Sequence, residues 1–257
     1  MQKQQGSARR RALLAAAALL PFGPLNAQAP AGLLAQAGGL AGRIEGSGKV
    51  VDAERSLAGF SRVIVNGPID VRVQAADADG VAVHADDNIA PLIETVVQGG
   101  ALVIGLRPGA SFRTLTKVQV RVKARKLQGV VLRGSGDVRA DRVEGDVFEA
   151  TLQGSGGIVI DALQAGAVAV SLAGNGDVRI KGRAGSLGVV IDGSGDVYCA
   201  DLLAERVAVR IRGSGDARVH ATDELKVDID GSGDVRYRGT PTISKSVRGA
   251  GAVRPLS

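Results

Sequence analysis

Tryptophan is absent from this sequence, and tyrosine, phenylalanine, histidine and cysteine number only two, four, two and one among 257 residues. Each scarcity excludes something. Proteins that hold single-stranded nucleic acid stack its bases on aromatic side chains, and almost none are available here. An internal disulfide needs two cysteines, and Cys199 stands alone. Zinc sites need Cys and His clustered at short spacings, and no such cluster occurs. A nucleophilic cysteine needs a histidine partner, and neither His84 nor His220 lies in a recognisable motif. No apolar run reaches the ~20 residues that a membrane-spanning helix needs. What is plentiful is glycine, 37 residues, set among valine and isoleucine. That composition fits strands punctuated by turns rather than a helical globule.

The formal charge is +6, but its location removes most of a nucleic-acid reading. Lys3, Arg9, Arg10 and Arg11 open the chain. Without these four the balance is 28 basic to 26 acidic residues, or +2, with the signs interspersed. No basic stripe remains, and nucleic acid is not an expected partner. The opening instead reads as an export signal. Arg9 to Arg11 form its charged region, Ala12 to Leu20 its apolar region, and Ala27 to Ala29 a small-residue cleavage site. Both the general secretory and the twin-arginine routes stay open. We expect residues 1–29 to be a signal peptide and 30–43 an Ala/Gly-rich linker. Residues 44–257 would form a single domain, exported to the periplasm or the cell surface.

The phrase "GSGDV" occurs at Gly134, Gly193 and Gly231, with near-copies between and beyond them. Counted by the first glycine, the series is Gly134, Gly154, Gly174, Gly193, Gly213, Gly231 and Gly249, spaced 20, 20, 19, 20, 18 and 18 residues apart. A fixed period in this range marks a solenoid. Aliphatic columns flank the glycines. Two residues before stand Leu132, Leu152, Leu172, Ile191, Ile211, Ile229 and Val247; four after stand Val138, Ile158, Val178, Val197, Ala217, Val235 and Val253. Strict alternation on both sides predicts two strands per unit, each with one buried face. Cys199 falls in an inward column and reads as a small core residue. The fold expected is all-β: a parallel β-helix with coils of about 18–20 residues and an irregular N-terminal portion. The array should run from Val118 to Val253, with "VQVRVKA" leading into it.

Outside the core, Asp137, Asp177, Asp196, Asp216 and Asp234 recur three residues after the glycine, and Arg139, Arg179, Arg218, Arg236 and Arg254 two residues further on. Side by side on one face, the two columns are expected to neutralise one another. A calcium-binding nonapeptide array would need about half this period. Upstream, "VIVNGPIDVRV" around Gly67 matches the unit column for column, and "RIEGSGKVV" around Gly46 matches it in part. Between them and the array, "DDNIAPLIET" reads as a short helical or turn insertion.

"GFSRVIVNGPIDVRV", then "ADDNIAPLIETVVQGGALVIGL", then the tandem "GSGDV" copies together resemble the bacterial head-GIN domain family, named for an auto-transporter adhesin head. The resemblance spans about residues 44–250. It implies a right-handed β-helix in exported bacterial proteins and an adhesive role, and it carries no catalytic residues. The long translocator barrel of an auto-transporter has no counterpart here.

No constellation of nucleophile, base and oxyanion donors is visible. The Ser of each G-S-G lies between strands, not on the strand-to-helix turn of a nucleophile elbow. No catalytic, cofactor-binding or metal-binding residue is assigned, no cofactor is expected, and the ligand-binding residues are unidentified. We expect a non-catalytic binding or structural domain of the bacterial cell envelope whose partner is an envelope protein or a glycan. The alternative is a polysaccharide-active enzyme on the same scaffold. That reading needs a groove holding acids outside the repeat, such as Asp86, Asp87, Glu94 or Glu144.

Overall fold

Alternation of aliphatic and polar side chains becomes, in the computed structural model, a stack of parallel coils. The structure describes residues 42–256. The expected signal peptide, and all but the last two residues of the expected linker, lie outside this range. In chain order the strands are β1 (Ile44–Glu45), β2 (Val50–Arg55), β3 (Arg62–Asn66), β4 (Asp70–Ala75), β5 (Gly80–Asp86), β6 (Ile93–Gln98), β7 (Ala101–Leu106), β8 (Phe112–Arg113) and β9 (Gln119–Ala124). The array follows as β10 (Gly129–Gly134), β11 (Asp137–Ala140), β12 (Val143–Gly154), β13 (Gly157–Gly174), β14 (Asp177–Gly193), β15 (Asp196–Gly213), β16 (Ala217–Gly231), β17 (Val235–Arg238), β18 (Thr242–Gly249) and β19 (Val253–Pro255).

From β10 onward each coil pairs in parallel with its equivalent in the next. Leu132 lies beside Leu152, then Leu172, Ile191, Ile211, Ile229 and Val247. All but the last of these are fully buried. The strand before each GSG therefore stacks on its counterpart one period away, not on the strand after the same GSG. This is the parallel β-helix expected from the columns.

The two glycines of the corner serve different needs. The first has positive φ in every copy, from 124° at Gly213 to 142° at Gly231, a region that disfavours side chains. The second has no positive φ, yet a Cβ at Gly215 would fall on the carbonyl oxygen of Gly195 one coil below. This close approach lets each first-glycine carbonyl accept two amides from the coil above. Ser214 N and Gly215 N donate to Gly193 O at 2.9 and 3.2 Å, and Ser232 N and Gly233 N donate to Gly213 O at 2.8 and 3.3 Å.

The N-terminal portion departs from the expected order. β3 and β4 form a coil directly beside β10 and β11, with Val65 paired to Leu132 and Val71 to Val138. On its other side lies the coil made by β7 and β9, with Val63 paired to Leu102 and Val71 to Val120. So "VQVRVKA" does not lead directly into the array. The Gly67 coil, which matches the repeat column for column, intervenes, and the chain passes across it at 125–128 to begin β10. Leu127 is buried in that crossing, and Gln128 N bonds Ser61 O at 2.7 Å.

Antiparallel strands finish this end: β6 on β7, and β5 between β9 and β2. The insertion at "DDNIAPLIET" is a single 3-10 turn, Ala90–Leu92, which with Ile89 adds buried side chains to the core. The Gly46 phrase is not a coil corner. Its flanks pair β1 with β8 and β2 antiparallel to β5, and Gly46 packs on Asp86, where a Cβ would collide with the carboxylate.

Candidate functional site

The coil periods of 18 to 20 residues are reconciled at the second corner, opposite the rigid GSG corner. The strand registers shift there, between Ile160 and Leu163, Arg179 and Gly182, and Cys199 and Leu203. Gly182, at φ 132°, absorbs the one-residue shortening by crossing close over the Leu163 carbonyl.

Small residues stack along this corner: Ala165, Ala184, Ala204 and Ala221 in successive coils. They leave a furrow parallel to the solenoid axis. Its largest section, about 550 Å³, is lined by Gln164, Arg183, Gly185, Leu203, Glu205 and Thr222 among others. A second section of about 330 Å³ shares Gln164 and Ala165 with it and adds Glu144 and Gly145. A third, of about 350 Å³, continues from Glu144 to Arg142, Arg125, Lys126, Leu127 and Asp77. From Glu144 to Thr222 the furrow crosses five coils, roughly 19 Å at ~4.8 Å per coil.

The rim carries both signs. Arg142 approaches Glu144 at 3.7 Å, and Arg206 approaches Glu205 at 3.5 Å. Arg125, Lys126 and Arg183 take part in no salt bridge among the described residues. An extended polymer laid in the furrow would meet Glu144, Gln164, Arg183, Glu205 and Thr222 in successive coils.

The four acids of the enzyme alternative do not converge. Asp86 is fully buried and accepts hydrogen bonds from Thr114 Oγ1 and Thr116 Oγ1, at 2.5 and 2.6 Å, which hold its carboxyl below the usual range. Asp87 accepts a bond from Ser47 Oγ at 2.6 Å, which lowers its pKa likewise, and pairs with Lys49 at 3.5 Å. Both tie the Ser47–Lys49 strap to the end of β5. Glu94 is an exposed partner of Arg107 at 3.8 Å. Of the four, Glu144 lines the furrow. A second acid, Asp77, lines the same section and was not anticipated, because the turn after β4 breaks the repeat. Among the described residues no three Asp, Glu, His or Cys side chains converge as a metal site. No helix among them is long and apolar enough to cross a membrane.

The expected neutralisation of the Asp column by the Arg column does not occur as direct pairing. Asp196, Asp216 and Asp234 bond the backbone of the next coil instead. Asp196 Oδ1 accepts from Asp216 N at 2.9 Å, Asp216 Oδ1 from Asp234 N at 2.8 Å, and Asp234 Oδ1 from Ala252 N at 2.9 Å. The carboxylate lies close to an amide that the GSG corner leaves without a strand partner, so the amide is satisfied locally. In the Arg column, Arg139 reaches sideways to Asp161 at 2.7 Å. Arg179 and Arg218 stack on the two faces of Tyr198, at 4.5 and 4.9 Å from its ring centre. Tyr198 donates to Asp196 at 3.0 Å, and that bond raises its pKa. With both ring faces covered, Tyr198 offers no stacking platform to a sugar.

Several solved structures share this architecture. One described as a "putative adhesin", from Bacteroides fragilis NCTC 9343, superposes with a TM-score of 0.78 at 23% identity, covering 83% of this chain and 100% of its own. A "putative lipid binding protein" from Parabacteroides distasonis ATCC 8503 gives 0.71 at 24% identity, over 84% of this chain and 100% of its own. A second "putative adhesin" from that organism gives 0.69 at 27%, over 83% and 100%. A comparison with curated proteins finds no match. The profile of the family described as "putative auto-transporter adhesin, head GIN domain" matches residues 59–241, from the Gly67 coil through the corner at Gly231, and the chain belongs to that family.

Proposed function

We propose that this chain is an exported, adhesin-like binding domain of the bacterial cell envelope, and that the furrow along its second corner holds an extended envelope polymer. The observation that carries the reading is the furrow itself. Three adjoining sections share lining residues, and their polar rim groups recur once per coil. The adhesin names of its structural relatives support a binding role, and the placement of Asp86, Asp87 and Glu94 outside the furrow fits it. Export is supported by Arg9–Arg11, the apolar Ala12–Leu20 and the small residues Ala27–Ala29.

The test is a screen of the protein against glycans, envelope proteins and envelope fractions. Its control is Gly145→Arg, which reaches into the section beside Glu144 and Gln164 from an exposed position with open space around it. Binding that Gly145→Arg reduces at least tenfold supports the furrow. Binding indifferent to it, or reproducible failure to bind any fraction, removes the proposal.

A further inference from the structure

The last coil of the solenoid differs from all those beneath it. β18 pairs with β16 on one side only, so alternate N–H and C=O groups along its eight residues face outward without a strand partner among the described residues. Natural sheets blunt such edges with short strands, proline, or charges turned inward. β19 has the first two, being three residues long and ending at Pro255, which has no N–H. β18 has neither. Its interior column residues Ile243 and Val247 are 37% and 38% exposed, whereas Leu225 and Ile229 one coil below are fully buried. Among the described residues no amide donates to the Gly249 carbonyl, whereas the first-glycine carbonyls from Gly134 to Gly231 each receive two.

Between Ile243 and Val247 stands Lys245, in register with Val227. Every equivalent position below is aliphatic: Val209, Val189, Val170, Ala150, Val130 and Val63. An ammonium in this column has no carboxylate partner among the described residues. A strand laid on β18 would place one side chain directly opposite Lys245, about 4.5–5.5 Å away between Cβ atoms.

We propose that β18 is a strand-docking edge for a partner protein. The docking segment is extended and carries an acidic side chain opposite Lys245, with aliphatic side chains two residues to either side that cover Ile243 and Val247. Backbone pairing supplies the affinity and the Lys–acid pair the register. A second copy of this chain is disfavoured as the occupant. Two-fold antiparallel pairing of β18 with itself matches Ile243 to Val247 but centres on Lys245 against Lys245, and like charges directly opposite repel.

This edge lies apart from the furrow, so the two proposals fail separately. The probe is a fluorescent peptide with a central Val-Thr-Glu-Thr-Val segment, compared with the same peptide carrying Lys in place of Glu. Both are titrated by anisotropy against the full chain, Lys245→Glu and Gly145→Arg. Circular dichroism confirms the fold of each variant. The Glu peptide should bind the unmodified chain at least tenfold more tightly than the Lys peptide. Lys245→Glu should reverse that preference, Gly145→Arg should leave it intact, and amide exchange should slow in residues 243–249. Equal binding of the two peptides, no binding of the Glu peptide, or insensitivity to Lys245→Glu would overturn the proposal. So would sedimentation of the unmodified chain as a dimer that Lys245→Glu dissociates, since that would assign the edge to a second copy.

Discussion

Ile191 sits between Leu172 and Ile211 in an interior column with no exposed surface. An aspartate there would have neither water nor a partner, a cost of several kcal/mol. Ile191→Asp should abolish the cooperative melt or lower its midpoint severely, as read by circular dichroism. Asp216 makes a gentler contrast. Its carboxylate accepts the Asp234 amide; Asp216→Ala should cost about 1 kcal/mol, while Asp216→Asn keeps an acceptor and should cost less. Equal losses for the two would show that the charge, not the backbone bond, is what the position supplies. Cys199 is buried, and burial pushes its thiol up to about 12. A thiol reagent at about pH 8 should leave the native chain unlabelled and label it on unfolding. Labelling at the same rate in both states would contradict the core placement.

At the scale of elements, the GSG corner joins a conformational need to a packing need. Gly213→Ala meets both a φ of 124° and the Gly193 carbonyl, while Gly215→Ala meets the Gly195 carbonyl and the Ile191 methyl but no positive φ. Both should destabilise by about 1–3 kcal/mol, and Ser214→Ala, on an exposed hydroxyl, should not. A silent Gly215→Ala would show that conformation alone selects glycine. The strap at Ser47–Lys49 behaves differently from the coils, because it is held by ionised carboxylates. Thr114 and then Thr116 depress Asp86, Ser47 depresses Asp87, and the His84 bond depresses Asp52 on β2. Folded values below the ordinary ~3.9 mean that their stabilisation is complete above that value and is lost as pH falls through the lower folded values. Amide exchange in β2 and the strap should therefore rise as pH drops through this window, after correction for intrinsic rates, while β13 to β15 stay protected. Uniform loosening of both regions would contradict it.

For the whole molecule, stability is close to a sum over coils and their interfaces. Deleting Gly154 to Ala173 removes one 20-residue period and brings Gly174 onto Gly134 with every column preserved. The shortened chain should fold, with a lower melting temperature and unchanged strand spectrum. Deleting Arg62 to Ala75 should not be tolerated. That coil is interleaved between β7–β9 and β10–β11, which its loss would leave facing each other across a crossing built to span it. A folded product from the second deletion would mean that the N-terminal coils can restack.

The sequence by itself determined the interior. Period, columns, the coil around Gly67, the turn at "DDNIAPLIET" and the core placement of Cys199 were all legible, because alternation of burial is a property of a strand's own residues. The tertiary structure decided whatever depends on which coil lies next to which. It put β9 on the far side of β4, since nothing local states which of two matching surfaces a strand will meet. It turned Asp196, Asp216 and Asp234 from partners of arginine into acceptors for the amides of the following coil, because that contact spans 18 to 20 residues. It also made the furrow, which exists only where small side chains from successive coils align, and the open edge of β18, where the stacking stops.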